Sequence, residues 1–184
     1  LMHRDSFLQL LRGYEKRYPD ENEVVTRFRE FVTENTDCFE RSLAVGHITG
    51  SAWIVSEAGD ETLLTHHRKL DIWVQTGGHA DGESDVLAVA RQEAEEEAGL
   101  KSIEVVSPEI FDLDIHRIPA RKSDPEHFHY DVRFAFRQTG DRNYVVSAES
   151  HDLAWVPLAE LEKYTTEESM LRMRDKSARF IQGE

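Results

Sequence analysis

Residues 77–100 read GGHADGESDVLAVARQEAEEEAGL. Within this stretch, residues 85–98 are rich in Ala, Leu and Glu and contain no Gly or Pro, and Gly99 then supplies an ordinary helix stop. The pattern predicts a helix entered from a glycine-rich turn. A helix advances about 100° per residue, so Glu93, Glu96 and Glu97 converge on one face while Glu95 points almost the opposite way. Converging carboxylates repel one another and raise each other's pKa unless a hard divalent cation neutralises them. An oxygen-only ligand set suits Mg²⁺, with Mn²⁺ as the substitute. Glutamate-rich helices also occur as solvated acidic faces, so charge alone does not decide; the flanking residues do.

Short β-rich runs surround the stretch. GHITGSAWIVS (46–56), ETLLTHH (61–67) and IWVQ (72–75) precede the glycines, with a turn at 58–60, and IEVV, FDLDIHRI, HYDVRFAF and LAWV follow the helix. PLAELEKY (157–164) and residues 166–181 read as closing helices. At the other end, Phe7, Leu8, Leu10, Leu11 and Tyr14 recur at helical spacing until Pro19. A second helix is expected from Asp20, with Glu23 as its capping-box partner and Val24, Val25, Phe28, Phe31 and Val32 along one stripe. The order predicts an α/β layered fold: a helical N-terminal extension over residues 1–40 and one domain over residues 41–184. The extension could cap a cleft, mediate a homodimer or cover a sheet edge.

Composition narrows the partners. The chain of 184 residues is 39% hydrophobic, enough for one well-buried domain with an appendage. A formal net charge of −14 opposes the phosphate backbone, so no nucleic-acid partner is expected, and an anionic small molecule needs bridging cations or a local basic patch. The single cysteine, Cys38, cannot form an intramolecular disulfide, and no apolar run approaches a membrane span, so a cytoplasmic protein without a membrane partner is expected. Leu1 reads as an addition before a native Met2.

Together, the double glycine, the turn and the carboxylate helix resemble the Nudix hydrolase family, whose signature is G-x5-E-x7-R-E-U-x-E-E-x-G-U with U a bulky apolar residue. Gly78, Glu93, Glu96, Glu97, Gly99 and Leu100 match it, with Ala94 a small residue at the first U position; the match spans residues 78–100. Residues 152–158 (DLAWVPL) also look like the family's late strand running into a Pro-Leu helix start. The resemblance implies an α/β/α sandwich with a mixed sheet. It also implies divalent-metal-dependent hydrolysis of the diphosphate linkage in a nucleoside diphosphate joined to another moiety. Glu93, Glu96 and Glu97 would be the catalytic and metal-binding helix residues and Gly78 would offer its carbonyl to Mg²⁺, with Glu97 as a first choice of general base. Two positions depart: Ser84 stands where the signature has Glu and Gln92 where it has Arg. The two could hold the loop as a neutral hydrogen-bonded pair, or Glu83 and Arg91, each one residue earlier, could form a shifted ion pair. The departures also raise an alternative, a Nudix-fold module that binds a nucleotide with weak or no turnover.

Nine histidines are many for this length. His127, His129 and Asp131 alternate along an expected strand and share a face, His79 follows Gly78, and Asp114 and His116 sit on the preceding strand. We read His79, His127, His129 and Arg133 as candidate substrate contacts, the histidines lining one wall of the cleft or holding a second metal. The same alternation is what any half-exposed strand shows.

Overall fold

The computed structural model describes residues 2–182. Leu1, taken above as an addition, and residues 183–184 at the end of the expected domain lie outside the described residues. The chain opens with α1 (Met2–Arg17) and α2 (Asn22–Glu34), separated by one 3₁₀ turn at Pro19–Glu21. The capping box expected at Asp20 does not form: α2 starts two residues later, and its N-cap, Glu21, makes no side-chain cap. Proline at the start of the preceding turn accounts for the delay, since the chain leaves α1 through that turn before a second helix can begin.

Eight strands make one sheet: β1 (Gly46–Val55), β2 (Glu61–His67), β3 (Ile72–Val74), β4 (Thr76–His79), β5 (Ile103–Val105), β6 (Asp112–Ile118), β7 (His127–Gln138) and β8 (Ser150–Pro157). The predicted α3 spans Val86–Ala98 between β4 and β5, and α4 (Glu168–Gln182) ends the chain. PLAELEKY forms a six-residue 3₁₀ helix, Leu158–Lys163. The sheet is mixed. β1 runs parallel to β7 and antiparallel to β2 and β4, while β6 and β5 pair antiparallel with β7 and β8 with β2.

Strand periodicity divides the central sheet into two unlike faces. On one, Ile48, Ala52 and Ile54 of β1 lie beside Tyr130, Phe134 and Phe136 of β7, and these join Phe7, Leu11, Phe28, Phe31, Val89 and Ala90 in one core. Tyr130 stacks on Phe31 with ring centroids 3.9 Å apart and meets Phe28 edge-on, so the N-terminal helices share the core of the sheet and cover its β6–β7 side. Their apolar stripes are therefore satisfied within the chain.

The other face changes character along the strands. Across β1, β7 and β6 the residues fall in rows: His47, His129 and His116; then Thr49, Asp131 and Asp114; then Ser51, Arg133 and Asp112. One step further the row becomes apolar, with Trp53 beside Ala135 in a second core that includes Phe111, Leu161, Met170 and Met173. α4 covers this apolar end, and helices on both faces complete the α/β/α sandwich. Among the described residues, no helix is long and apolar enough to cross a membrane.

Candidate active site

α3 begins and ends as its sequence requires. The Asp85 carboxylate caps its N-terminus by accepting from the Ala88 N–H at 3.1 Å, and Gly99 closes it in the left-handed region, φ 64°. The helix packs against β1 and β4, which places its carboxylates beside the two glycines of β4. A Cβ on Gly78 would lie 2.3 Å from Cδ of Glu93, so only glycine lets that carboxylate reach the strand. One residue earlier, the Gly77 N–H donates to Oε1 of Glu97 at 3.1 Å.

The three expected ligands occupy unlike environments. Glu97 is 8% exposed, Glu93 is half-buried, and Glu96 is exposed and accepts from Nε2 of Gln92 at 2.8 Å. Burial pushes the Glu97 carboxyl up to about 8; Glu93 and Glu149 add to the rise, and the Gly77 N–H opposes it. Burial also takes Glu93 up to about 7, with Glu96, Glu149 and Asp81 adding to it and Arg41 opposing. Ionising two carboxyls in so buried a place is unfavourable, and a hard cation held between them would offset that cost. The side-chain donors gathered here are carboxylate oxygens, a set that fits a hard cation such as Mg²⁺ or Mn²⁺.

The raised pKa values have a measurable consequence. A cation must displace the protons that Glu93 and Glu97 hold in the metal-free protein, so apparent Mg²⁺ affinity is expected to rise from about pH 6 and level off above about pH 8. Calorimetry in buffers of different ionisation enthalpy reads the released protons; affinity that is flat across this range with no proton release would contradict the assignment.

Two groups escaped notice in the sequence. The Glu149 side chain, in the loop entering β8, lies near enough to raise both Glu93 and Glu97, yet nothing in the spacing of SAESH marks it. Arg41 grips Asp81 through two hydrogen bonds of 2.6 and 2.5 Å and is the cation whose field reaches Glu93. It precedes β1, far from the signature in sequence.

Neither arrangement weighed for the departing positions is the one observed. Gln92 donates to Glu96 and not to Ser84, Arg91 donates to the Ile103 carbonyl and lies over the Phe136 ring, and Glu83 accepts from the Asp85 N–H. The shift of one residue rotates Arg91 towards the core, which rules out a pair with Glu83.

The expected histidines share one cluster, which two more join. His79, His127 and His129 come together, and His47 and His116 join them. His47 is 3% exposed. Its ring lies between 4.9 and 5.2 Å, centroid to centroid, from those of His79, His127 and His129. Burial, and then the neighbouring rings, lower His47 to about 4; burial, then His116 and His47, take His129 to about 2. Both are neutral at pH 7. His66 stands apart, stacked on Trp73 and paired with Asp71.

Arg133 does not join a cleft wall. It is buried, donating to Asp131 at 2.9 Å and Asp112 at 3.0 Å and lying 3.7 Å from Asp114, so its charge is already matched inside the protein. Asp131 also accepts from Thr49 and Ser51 and ties β7 to β1. The alternation that suggested a substrate contact here reflects a buried ion-pair row.

Comparison with known proteins identifies the domain and its fold. The NUDIX domain model matches residues 47–176. Among solved structures, an Ap4A hydrolase from C. elegans in a binary complex superposes with a TM-score of 0.61 at 18% identity, covering 74% of this chain and 98% of that one. A NUDIX family hydrolase from Clostridium perfringens gives 0.52 at 21% identity, covering 72% and 96%. The E. coli dihydroneopterin triphosphate pyrophosphohydrolase gives 0.53 at 13% identity, covering 74% and 96%. At these identities the likeness is one of fold. No curated protein matches the sequence.

Proposed function

The chain belongs to the Nudix family of hydrolases acting on phosphoric anhydride bonds, and from that premise we propose that it cleaves the diphosphate of a nucleoside diphosphate joined to another moiety. What carries this reading is the pair of carboxyls, Glu93 and Glu97, gathered beside the β4 glycines, where burial raises the pKa of both.

Glu93, Glu97 and the more exposed Glu96 would hold Mg²⁺ or Mn²⁺, together with the Gly78 carbonyl. A bound cation would neutralise the diphosphate and make a coordinated water more nucleophilic. The chain's own residues do the rest. The Gly77 N–H holds Glu97 in place, and Gly78 keeps open the space that Glu93 occupies. Glu149, exposed and with no hydrogen bond donated to its carboxylate among the described residues, is available to orient the attacking water and take its proton. Arg41, exposed and held by Asp81, sits near enough to act on Glu93 and would turn towards a substrate phosphate only by sharing or leaving the Asp81 carboxylate. Arg133 has no part in the site.

A panel of dinucleoside polyphosphates, nucleotide sugars, dinucleotide cofactors and nucleoside triphosphates, incubated with Mg²⁺ or Mn²⁺, tests the proposal. It includes Ap4A, named in the C. elegans neighbour. We expect one class to be cleaved at its anhydride and a chelator to abolish cleavage. Nucleotide affinity by calorimetry with no product in either metal would replace the hydrolase with a binding module.

A further inference from the structure

The histidine cluster offers a ligand set of a different kind from the carboxylate helix. His47 on β1 and His129 on β7 are register partners in the parallel pair, and His127 lies two residues back along β7, so all three rings rise from the same face. One ring nitrogen from each lies within 4.8 Å of the other two. Tetrahedral ligands about 2.0–2.1 Å from a zinc ion stand about 3.3 Å apart, a contraction that ring rotation can supply.

Hydrogen bonding indicates which nitrogens are free. Neither ring nitrogen of the buried His47 has a hydrogen-bond partner, although the Leu43 carbonyl lies near enough to act on the ring. Nε2 of His129 is likewise buried and unpartnered. Buried polar nitrogens are nearly always satisfied, so orphaned ones facing each other suggest an absent partner. In His127 the Nδ1 position lies 2.8 Å from the Pro125 carbonyl, which places the proton on Nδ1 and leaves the Nε2 lone pair free. A backbone carbonyl behind the ring in this way is the usual support of a ligating histidine.

We propose that His47, His127 and His129 form a binding site for a borderline divalent cation of the zinc class, separate from the carboxylate site for hard cations. Imidazole nitrogens offer lone pairs to such a cation, and burial favours the uncharged ring in His47 and His129. Three imidazoles without a carboxylate favour zinc, nickel or copper over magnesium. Three protein ligands also leave a fourth position for water or a phosphate oxygen. His79 and His116 pack around the three without completing the set, and His116 is itself turned to Asp114 at 3.3 Å. This proposal does not depend on hydrolysis at Glu93 and Glu97.

The test is calorimetric titration of the full-length, chelator-treated protein with Zn²⁺, alone and as His127→Gln, His116→Gln and Glu97→Gln. His127 is half-buried at a strand end, and its variant is checked by thermal melting before titration. We expect the wild type to bind one equivalent, His127→Gln to weaken that binding by at least about 100-fold, and the other two variants to leave it within about threefold. Co²⁺ substitution gives a readout on the wild type should the variant fail to fold: strong visible bands of a histidine-ligated tetrahedral ion support the site. A weak spectrum of octahedral oxygen ligation, no Zn²⁺ uptake, or Zn²⁺ uptake lost in Glu97→Gln and kept in His127→Gln would each overturn it.

Discussion

Glu97→Gln is expected to lower Mg²⁺-dependent hydrolysis by about 100- to 1,000-fold while leaving the protein folded and, without metal, no less stable. The two halves of this expectation share one cause. Glu97 is buried and carries its proton up to about pH 8, so in the metal-free protein it is already neutral at pH 7. A glutamine keeps the shape and still accepts from the Gly77 N–H. It loses only the negative charge that a cation would draw out. The sign of the stability change follows. The folded-state pKa stands above the ordinary value of 4.5, so the folded protein holds the extra proton between those limits and wild-type stability falls as pH rises through that window. The variant lacks this loss, so its melting temperature should gain on the metal-free wild type from about pH 5 to about pH 8.5, and adding Mg²⁺ should close the gap. Wild-type turnover in Glu97→Gln would sink the assignment of the site.

The second large effect is structural. Asp112 is fully buried on β6 and accepts from Arg133, from Arg172 through two bonds of 2.8 Å, and from Lys176 at 2.6 Å. Burial alone would raise its pKa; the Arg172 hydrogen bonds, with Arg133 and Lys176, reverse that and hold the carboxylate below its usual range. Asp112→Asn leaves three cations around a neutral amide. Breaking a buried ion pair from one side costs about 3–5 kcal/mol. For a chain of this length that corresponds to a fall in melting temperature of about 6–20 °C. Lys176 also donates to the Tyr14 hydroxyl at 2.5 Å and lies over the Tyr18 ring, so the anion at Asp112 reaches the N-terminal helix through α4. Amide exchange in α1 should therefore accelerate more than in β1. A melting temperature within about 2 °C of wild type would show that Asp131, Asp114 and Glu21 suffice to neutralise the group. In the wild type the depressed pKa contributes stability above about pH 4 that is lost on further acidification.

Much of the fold was readable in local pattern. α3 obeys it from its Asp85 cap to Gly99, because helix termini are built from neighbouring residues. Strand periodicity likewise foretold that His127, His129 and Asp131 share a face. The helix expected over 157–164 is present as a short 3₁₀ helix, whereas the capping box expected at Asp20 gives way to a proline turn that delays the start of α2.

Residue type and period thus determined the carboxylate helix, the glycines beside it and the alternation of the strands, since each depends on contacts within a few residues. Pairing between distant segments decided the rest. That β1 lies parallel to β7 cannot be inferred from either strand alone, and it is this pairing that sets His47 beside His129, while the antiparallel pairing of β6 with β7 sets Arg133 against Asp112. Glu149 reaches the α3 carboxylates for the same reason: its loop is carried there by the pairing of β8 with β2. Charge and hydrogen-bonding capacity are written in the residue, but whether a cation, a carboxylate or another imidazole answers them is set by which strands become neighbours.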